Sequence, residues 1–169
     1  LLKSSTSATA TTDSSSNQFT VTNNNNVLFN YQSPFNNAPC GSILFNGSSQ
    51  YLSVSNNAAF DFGSGDFTLE AWINPSTLTP GGGVNDANSM MNAFPASGTI
   101  TGWGFAYSPT GYLLFTSWAS GTQQSITATT NPVTINTWQH VAVTKQSGTY
   151  RMFMNGVSVT FTGSISNAV

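Results

Sequence analysis

Short runs in which every second residue is apolar, cut at close intervals by turn residues, constrain this chain more than any other feature. Phe67, Leu69, Ala71 and Ile73 alternate with Thr68, Glu70 and Trp72. Successive strand side chains point to opposite faces, so such a run is half-buried. Similar runs recur at 42–45, 51–54, 102–107, 112–118, 125–129, 138–144, 150–154 and 157–161. Between them stand Asn46-Gly47, Ser108-Pro109-Thr110-Gly111, Asn131-Pro132, Gln146-Ser147-Gly148 and Asn155-Gly156. Asn-Gly suits a type I′ turn, where both residues take positive φ, so each Asn-Gly is expected to close a hairpin. No stretch carries a sustained helical period with caps. The expectation is an all-β protein, an antiparallel sandwich of two sheets.

The first 26 residues break this pattern. Residues 1–26 are mostly Ser, Thr, Ala and Asn and end in Asn23-Asn24-Asn25-Asn26. Such a tract buries too little apolar surface to offset its ordering entropy. It reads as a linker or arm that orders against a neighbour, with room for a short strand at 19–22. Residues 27–169 form the expected sandwich domain. The stretch 74–99 holds Pro75, Pro80, Gly81-Gly82-Gly83, Pro95 and Gly98 and reads as one long connection.

Composition narrows the function classes. Of the 169 residues only 5% are charged, against roughly 25% in an average soluble protein. The net charge of -2 offers no basic field for nucleic acid or anionic lipid. Apolar runs such as Tyr112-Leu113-Leu114-Phe115 fall far below the roughly 20 residues of a membrane helix, so no membrane insertion is expected. Leu1-Leu2 is too short for a secretory signal, and without an initial Met the chain reads as a piece of something longer. Cys40 has no partner cysteine and reads as a small, half-buried apolar residue. Amide- and hydroxyl-rich surfaces of low charge point to an extracellular, cell-surface or virion location.

Four stretches in order also look familiar: ILFNGSSQYLSV (43–54), FGSGDFTLEAWINP (62–75), GWGFAYSPTGYLLF (102–115) and NTWQHVAVTKQSGTYRMFMNGVSV (136–159). Together they resemble laminin-G-like domains of the concanavalin A-like lectin/glucanase superfamily. The resemblance implies a jelly-roll sandwich of two curved sheets. It also implies a missing end, because such domains continue to further closing strands and Phe161-Thr162-Gly163-Ser164-Ile165 echoes them only in part. Either the polypeptide continues past Val169 or a neighbouring chain supplies the closing strand, since an unpaired edge invites aggregation.

Superfamily members that cut glycans resemble one another in placing carboxylates along one strand. The chemistry needs two acids roughly 5–9.5 Å apart. Glu70, the sole glutamate, has Thr68 and Trp72 as its same-face neighbours. Asp66 shares the parity, but four residues of strand span roughly 13 Å. No catalytic residue is therefore assigned. Glu70 is expected to accept hydrogen bonds from a neighbouring strand or loop, or to be solvated. The lone His140 reads as a hydrogen-bonded packing residue. One Cys and one His do not make a zinc site. Calcium is the only cofactor with candidates: Asn85, Asp86 and Asn88 offer oxygens in one loop, and Asp61 with Asn56 and Asn57 in another. Both clusters also fit plain Asx-turns.

The remaining signal is aromatic. Trp103, Phe105 and Tyr107 share one face of their strand, and Tyr112, Leu114, Thr116 and Trp118 share a face of the next. Exposed Trp and Tyr rings stack on sugars, and nearby amides bond hydroxyls. Trp118, Tyr107, Tyr112 and Gln123 are the ligand-binding candidates. Trp72, Trp103 and Trp138 are expected in the core, and Trp118, beside a polar run, at the surface. Three readings follow. The first is a non-catalytic, lectin-like recognition module of an extracellular or virion appendage such as a phage tail fibre. The second is a purely structural virion or filament component, assembled as a homo-oligomer or in a larger assembly. The third and weakest is a glycan hydrolase.

Overall fold

The computed structural model describes residues 2–3, 12–35, 41–79, 87–94, 101–166 and 169. These residues group into two compact units, Leu1–Asn56 and Asn57–Val169. Among them there is no α-helix, and the strands pair antiparallel.

The N-terminal unit contains β1 (Leu2–Lys3), β2 (Thr12–Asp13), β3 (Val21–Asn24), β4 (Leu28–Asn30), β5 (Ser42–Leu44) and β6 (Tyr51–Val54). They form three two-stranded ladders, β1 with β2, β3 with β6, and β4 with β5. The strand β3 lies within the tract whose composition reads as an arm, and it runs Val21↔Val54 to Asn24↔Tyr51 against β6. The hairpin expected at Asn46-Gly47 does not form, because β5 pairs with β4 and β6 with β3. Only Gly47 takes positive φ there, at 69°. Asn46 instead uses its side chain, whose Oδ1 accepts from the N–H groups of Ser48, Ser49 and Gln50 at 3.0, 3.0 and 3.1 Å.

The C-terminal unit begins with a 3-10 turn, Ala58–Phe60. There follow β7 (Phe67–Ile73), β8 (Asn88–Ala93), β9 (Gly102–Tyr107), β10 (Leu113–Ala119), β11 (Thr122–Ala128), β12 (Gln139–Gln146), β13 (Thr149–Met154), β14 (Val157–Val159) and β15 (Phe161–Ser164). One sheet has the order β15-β11-β10-β9-β8 and the other β14-β13-β12-β7. Tight turns join consecutive strands where both turn residues reach positive φ: Ser120 with Gly121, Ser147 with Gly148, and Asn155 with Gly156. That backbone twist matches the twist of the flanking strands. The Asn155-Gly156 hairpin thus forms as expected, linking β13 to β14.

Two strands depart from the sequence reading. β8 lies inside the 74–99 stretch that reads as one long connection, and its ladder with β9 shifts register between Ser89 and Met91. An edge strand with a bulge needs neither strict alternation nor β-branched residues, which Asn88-Ser89-Met90-Met91-Asn92-Ala93 lacks. β11 starts at Thr122, so the polar run there is paired strand rather than loop.

The two sheets close over an apolar core. Phe105, Leu113, Phe115, Val141, Val143 and Met152 are all at 0% exposure. Full burial of each such side chain contributes about 1.5–3 kcal/mol relative to exposure. Phe62 stacks on Phe67 and on Trp103 with ring centroids at 4.6 and 5.2 Å. Trp103 donates its Nε1 hydrogen to the Phe60 carbonyl at 2.8 Å. Lys145 is also buried, with its Nζ 3.4 Å from the Gly63 carbonyl and 5.7 Å from the Tyr150 ring centre.

Candidate functional site

Alternation divides the aromatic hairpin β9–β10 cleanly into two faces. Trp103, Phe105 and Tyr107 point inward and belong to the buried core. Tyr107 therefore presents no face to a ligand, contrary to the sequence reading. Its hydroxyl donates to the Thr77 carbonyl at 3.5 Å, and burial pushes its phenol up from the ordinary value. Tyr112 is half-buried at the turn before β10 and packs against the same core. The turn is held by Gly111 N–H donating to Ser108 O and by Ser108 N–H donating to Tyr112 O, at 2.8 and 2.9 Å.

At the far end of β10, Trp118 and Gln123 are direct cross-strand partners. Both are half-buried and lie on the sheet face turned away from the core, with Leu114, Thr116, Ser125 and Thr127. The structure therefore brings two of the four ligand candidates together. It leaves the tyrosines about 20 Å away, the length of six strand residues. Gly102 and Gly104 stand opposite Trp118 and Thr116, and Phe94 lies over both glycines. A side chain at Gly102 would drive into the Ala93 carbonyl, so only glycine fits under this cover. The Trp118 Nε1 hydrogen is enclosed without a partner among the described residues. Trp118 can thus offer a ring surface, but its N–H does not reach a ligand.

The calcium candidates fare unequally. Asn85 and Asp86 lie outside the described residues, as does Cys40. Asn88 sits in β8 and donates its amide to the Leu78 carbonyl at 3.1 Å. Asn57 caps the 3-10 turn by accepting from Ala59 N–H at 2.9 Å, which is the Asx-turn alternative. Among the described residues no three His, Cys, Asp or Glu side chains gather to hold a metal ion.

Glu70 lands where alternation put it, on the outward face of β7, and its side chain is 62% exposed. Its neighbour is His140, whose Nε2 lies 3.4 Å from Glu70 Oε2. The register that pairs Trp72 with His140 and Glu70 with Ala142 makes Glu70 and His140 diagonal neighbours across the ladder. His140 also packs on Trp72, with ring centroids 5.4 Å apart. Its backbone N–H donates to Asn155 Oδ1 at 2.9 Å, and Asn155 N–H donates back to the His140 carbonyl at 2.7 Å. Asp66 is engaged elsewhere, accepting from Ser147 N–H at 2.7 Å in the β12–β13 turn.

Two tryptophans behave differently from expectation. Trp72, expected in the core, is 43% exposed, more than the half-buried Trp118. The same parity that turns Glu70 outward turns Trp72 outward, so the signal was present in the alternation of β7. Trp138 is half-buried. Trp103 is a core residue as expected.

The C-terminal unit thus carries aromatic and amide side chains on the outer faces of two antiparallel sheets. The laminin G family model, described as the concanavalin A-like lectin/glucanases superfamily, matches residues 46–167. The chain belongs to that superfamily. Among curated proteins no significant match was found.

Proposed function

We propose that this chain is a non-catalytic, lectin-like recognition module that binds a glycan or a glycan-bearing surface. Its setting in this reading is an extracellular, cell-surface or virion appendage such as a phage tail fibre. The observation that carries the reading is the Trp118–Gln123 pair, an aromatic ring beside an amide on the outward face of a sheet. Aromatic faces receive the apolar side of a sugar ring, and amides exchange hydrogen bonds with its hydroxyls. The reading needs no cofactor, so adding calcium or a chelator is expected to leave binding unchanged. A glycan array with the wild type, Trp118→Ala and Gln123→Ala tests it. Wild-type binding that weakens in both variants supports the reading; wild-type silence across the array sinks it.

The absence of catalysis is part of the proposal. The partner of Glu70 is an imidazole, whereas glycoside hydrolysis uses a second carboxyl. Incubation with neutral polysaccharides should release no reducing ends. Release by the wild type that disappears in Glu70→Gln would make the protein a hydrolase instead.

A structural reading is favoured by one observation in the N-terminal unit. Leu28 and Leu44 are cross-strand partners, yet they are 52% and 51% exposed, and Tyr31 nearby in sequence is 77% exposed. Sedimentation of the wild type against Leu28→Ser/Leu44→Ser tests whether this pair drives assembly. A wild type that remains monomeric at high concentration would dispose of that version.

A further inference from the structure

The outward face of the β7–β12–β13 ladder carries chemistry that neither the fold nor the Trp118 site uses. Register sets it out in rows. Trp72 stands opposite His140, Glu70 opposite Ala142, and Thr68 opposite Thr144. On the far side of β12, Phe153 stands opposite Ala142 and Arg151 opposite Thr144. Ala142 is small and only 5% exposed, so the larger side chains around it close over the centre of this face. The indole stands at the edge, because β7 is the last strand of its sheet among the described residues.

The imidazole beside the indole is held in place. His140 is held through its ring by Trp72, through Nε2 by Glu70, and through its backbone by Asn155. Glu70 is 62% exposed and a carboxylate has two oxygens with several acceptor positions, so the contact to His140 leaves acceptor capacity facing solvent. A half-exposed tryptophan next to a carboxylate and an imidazole matches one ligand chemistry well. The indole face receives the C–H side of a pyranose, the carboxylate accepts from its hydroxyls, and the imidazole supplies a donor or acceptor at the next hydroxyl. The Glu70 charge beside the indole works against anionic sugars there, since Arg151, the cation of this face, lies on β13 with β12 between it and Glu70.

We infer that Trp72, Glu70 and His140 form a second saccharide site for a neutral pyranose, on the sheet opposite the one that carries Trp118 and Gln123. This rests on the reading of the protein as a sugar-recognition module, but it locates a site that reading does not require. The outer faces of a sandwich point in opposite directions, so the two sites cannot grip one short oligosaccharide together. They would instead take two, and the stoichiometry of a short ligand separates them.

The test uses the full chain and a panel of neutral gluco-, manno- and galacto-oligosaccharides, read by isothermal titration and tryptophan fluorescence. The wild type should bind two short oligosaccharides per chain. Trp72→Ala should remove one of them, and Glu70→Gln, which keeps the shape of the side chain, should weaken the same one by about tenfold. Trp118→Ala should remove the other and leave the Trp72 site intact. If Trp72→Ala and Glu70→Gln both keep the wild-type stoichiometry and affinity while Trp118→Ala abolishes binding, the second site is wrong and the recognition reading survives. If Trp72→Ala abolishes binding and Trp118→Ala changes nothing, this site stands and the Trp118 site falls. A wild type that binds none of the panel overturns both. Circular dichroism of each variant guards against misfolding, and Glu70→Gln at an exposed position keeps the test decisive should Trp72→Ala fail to fold.

Discussion

The two units of this chain are held together by different physics. In the C-terminal unit, two sheets of five and four strands enclose side chains at 0% exposure, and tight two-residue turns connect the ladders. The N-terminal unit has ladders of only two strands and leaves Leu28, Tyr31, Phe35, Leu44, Phe45 and Tyr51 between 45% and 77% exposed. Its order comes from side chains clasping the backbone. Asn23 accepts from Val27 N–H at 2.7 Å and donates to the Val27 carbonyl at 3.1 Å. Gln50 donates to the carbonyls of Asn25 and Asn26 at 3.0 and 2.8 Å. Asp13 accepts from Ser15 N–H, Ser15 Oγ and Phe19 N–H, each at 2.8 Å. The contrast teaches that an Asn- and Ser-rich sequence specifies local shape by hydrogen bonds where its apolar residues are left exposed rather than gathered into a core.

The sharpest way to break this comparison is to damage each unit by its own mechanism. Phe115→Ala removes a ring from the centre of the core and should cost about 3–5 kcal/mol. All the tryptophans lie in the C-terminal unit, so denaturant unfolding followed by their fluorescence reads that loss directly. A loss below about 1 kcal/mol would mean the core is not the principal support there.

Asn46→Ala should act on the other unit and by less. It strips the acceptor of three backbone N–H groups and is expected to cost about 1–2 kcal/mol locally, in the range of a lost helix cap. Faster amide exchange at Ser48, Ser49 and Gln50, with tryptophan-detected unfolding unchanged, is the expected result.

Acid should loosen the N-terminal unit in a similar local way. The backbone N–H of Ser15, with Ser15 Oγ and Phe19 N–H, holds the Asp13 carboxyl below the usual carboxylate range. A folded-state pKa below the unfolded one means the clasp stabilises above the ordinary carboxylate range. That contribution is lost as pH falls through the depressed folded value. Amide exchange at Ser15 and Phe19 should quicken over that acid window in the wild type, after correction for intrinsic rates. In Asp13→Asn it should be insensitive to that window.

The smallest effect is expected from Tyr150→Phe, and its sign separates packing from hydrogen bonding. The Tyr150 hydroxyl is buried without a partner among the described residues, and burial pushes its phenol above the ordinary value. Removing it leaves the ring that packs on Phe67, Phe115 and Lys145. Stability should stay level or rise by up to about 1 kcal/mol. A clear loss would reveal a partner for that hydroxyl.

Much of the C-terminal unit was legible in its residues. The parity of Phe67–Ile73 placed Glu70 outward, while Trp72 on the same face was expected in the core against that parity, and Trp103 in β9 was expected in the core and is there. The candidate site was legible only in part. Trp118 and Gln123 meet because Ser120-Gly121 closes a two-residue hairpin between β10 and β11, which the polar composition beside Trp118 does not announce. Tyr107 was misplaced because an aromatic side chain can stack on a sugar or fill a core, and only its neighbours decide which. β8 is not legible in the sequence because a bulged edge strand leaves no clean period.

The same dipeptide marks the line between the two kinds of information. Asn155-Gly156 and Asn46-Gly47 are identical in sequence, yet the first closes a hairpin and the second does not. Which side of a strand a residue faces was determined by the sequence itself, since alternation follows from the covalent geometry of an extended chain. Which strand lies beside which was decided by the tertiary structure. Pairing is chosen by burial and hydrogen bonding between distant segments, and a local signal is overruled when a strand finds a better partner elsewhere. Glu70 and His140 belong to that second class: seventy residues apart, they meet because β7 takes β12 as its neighbour.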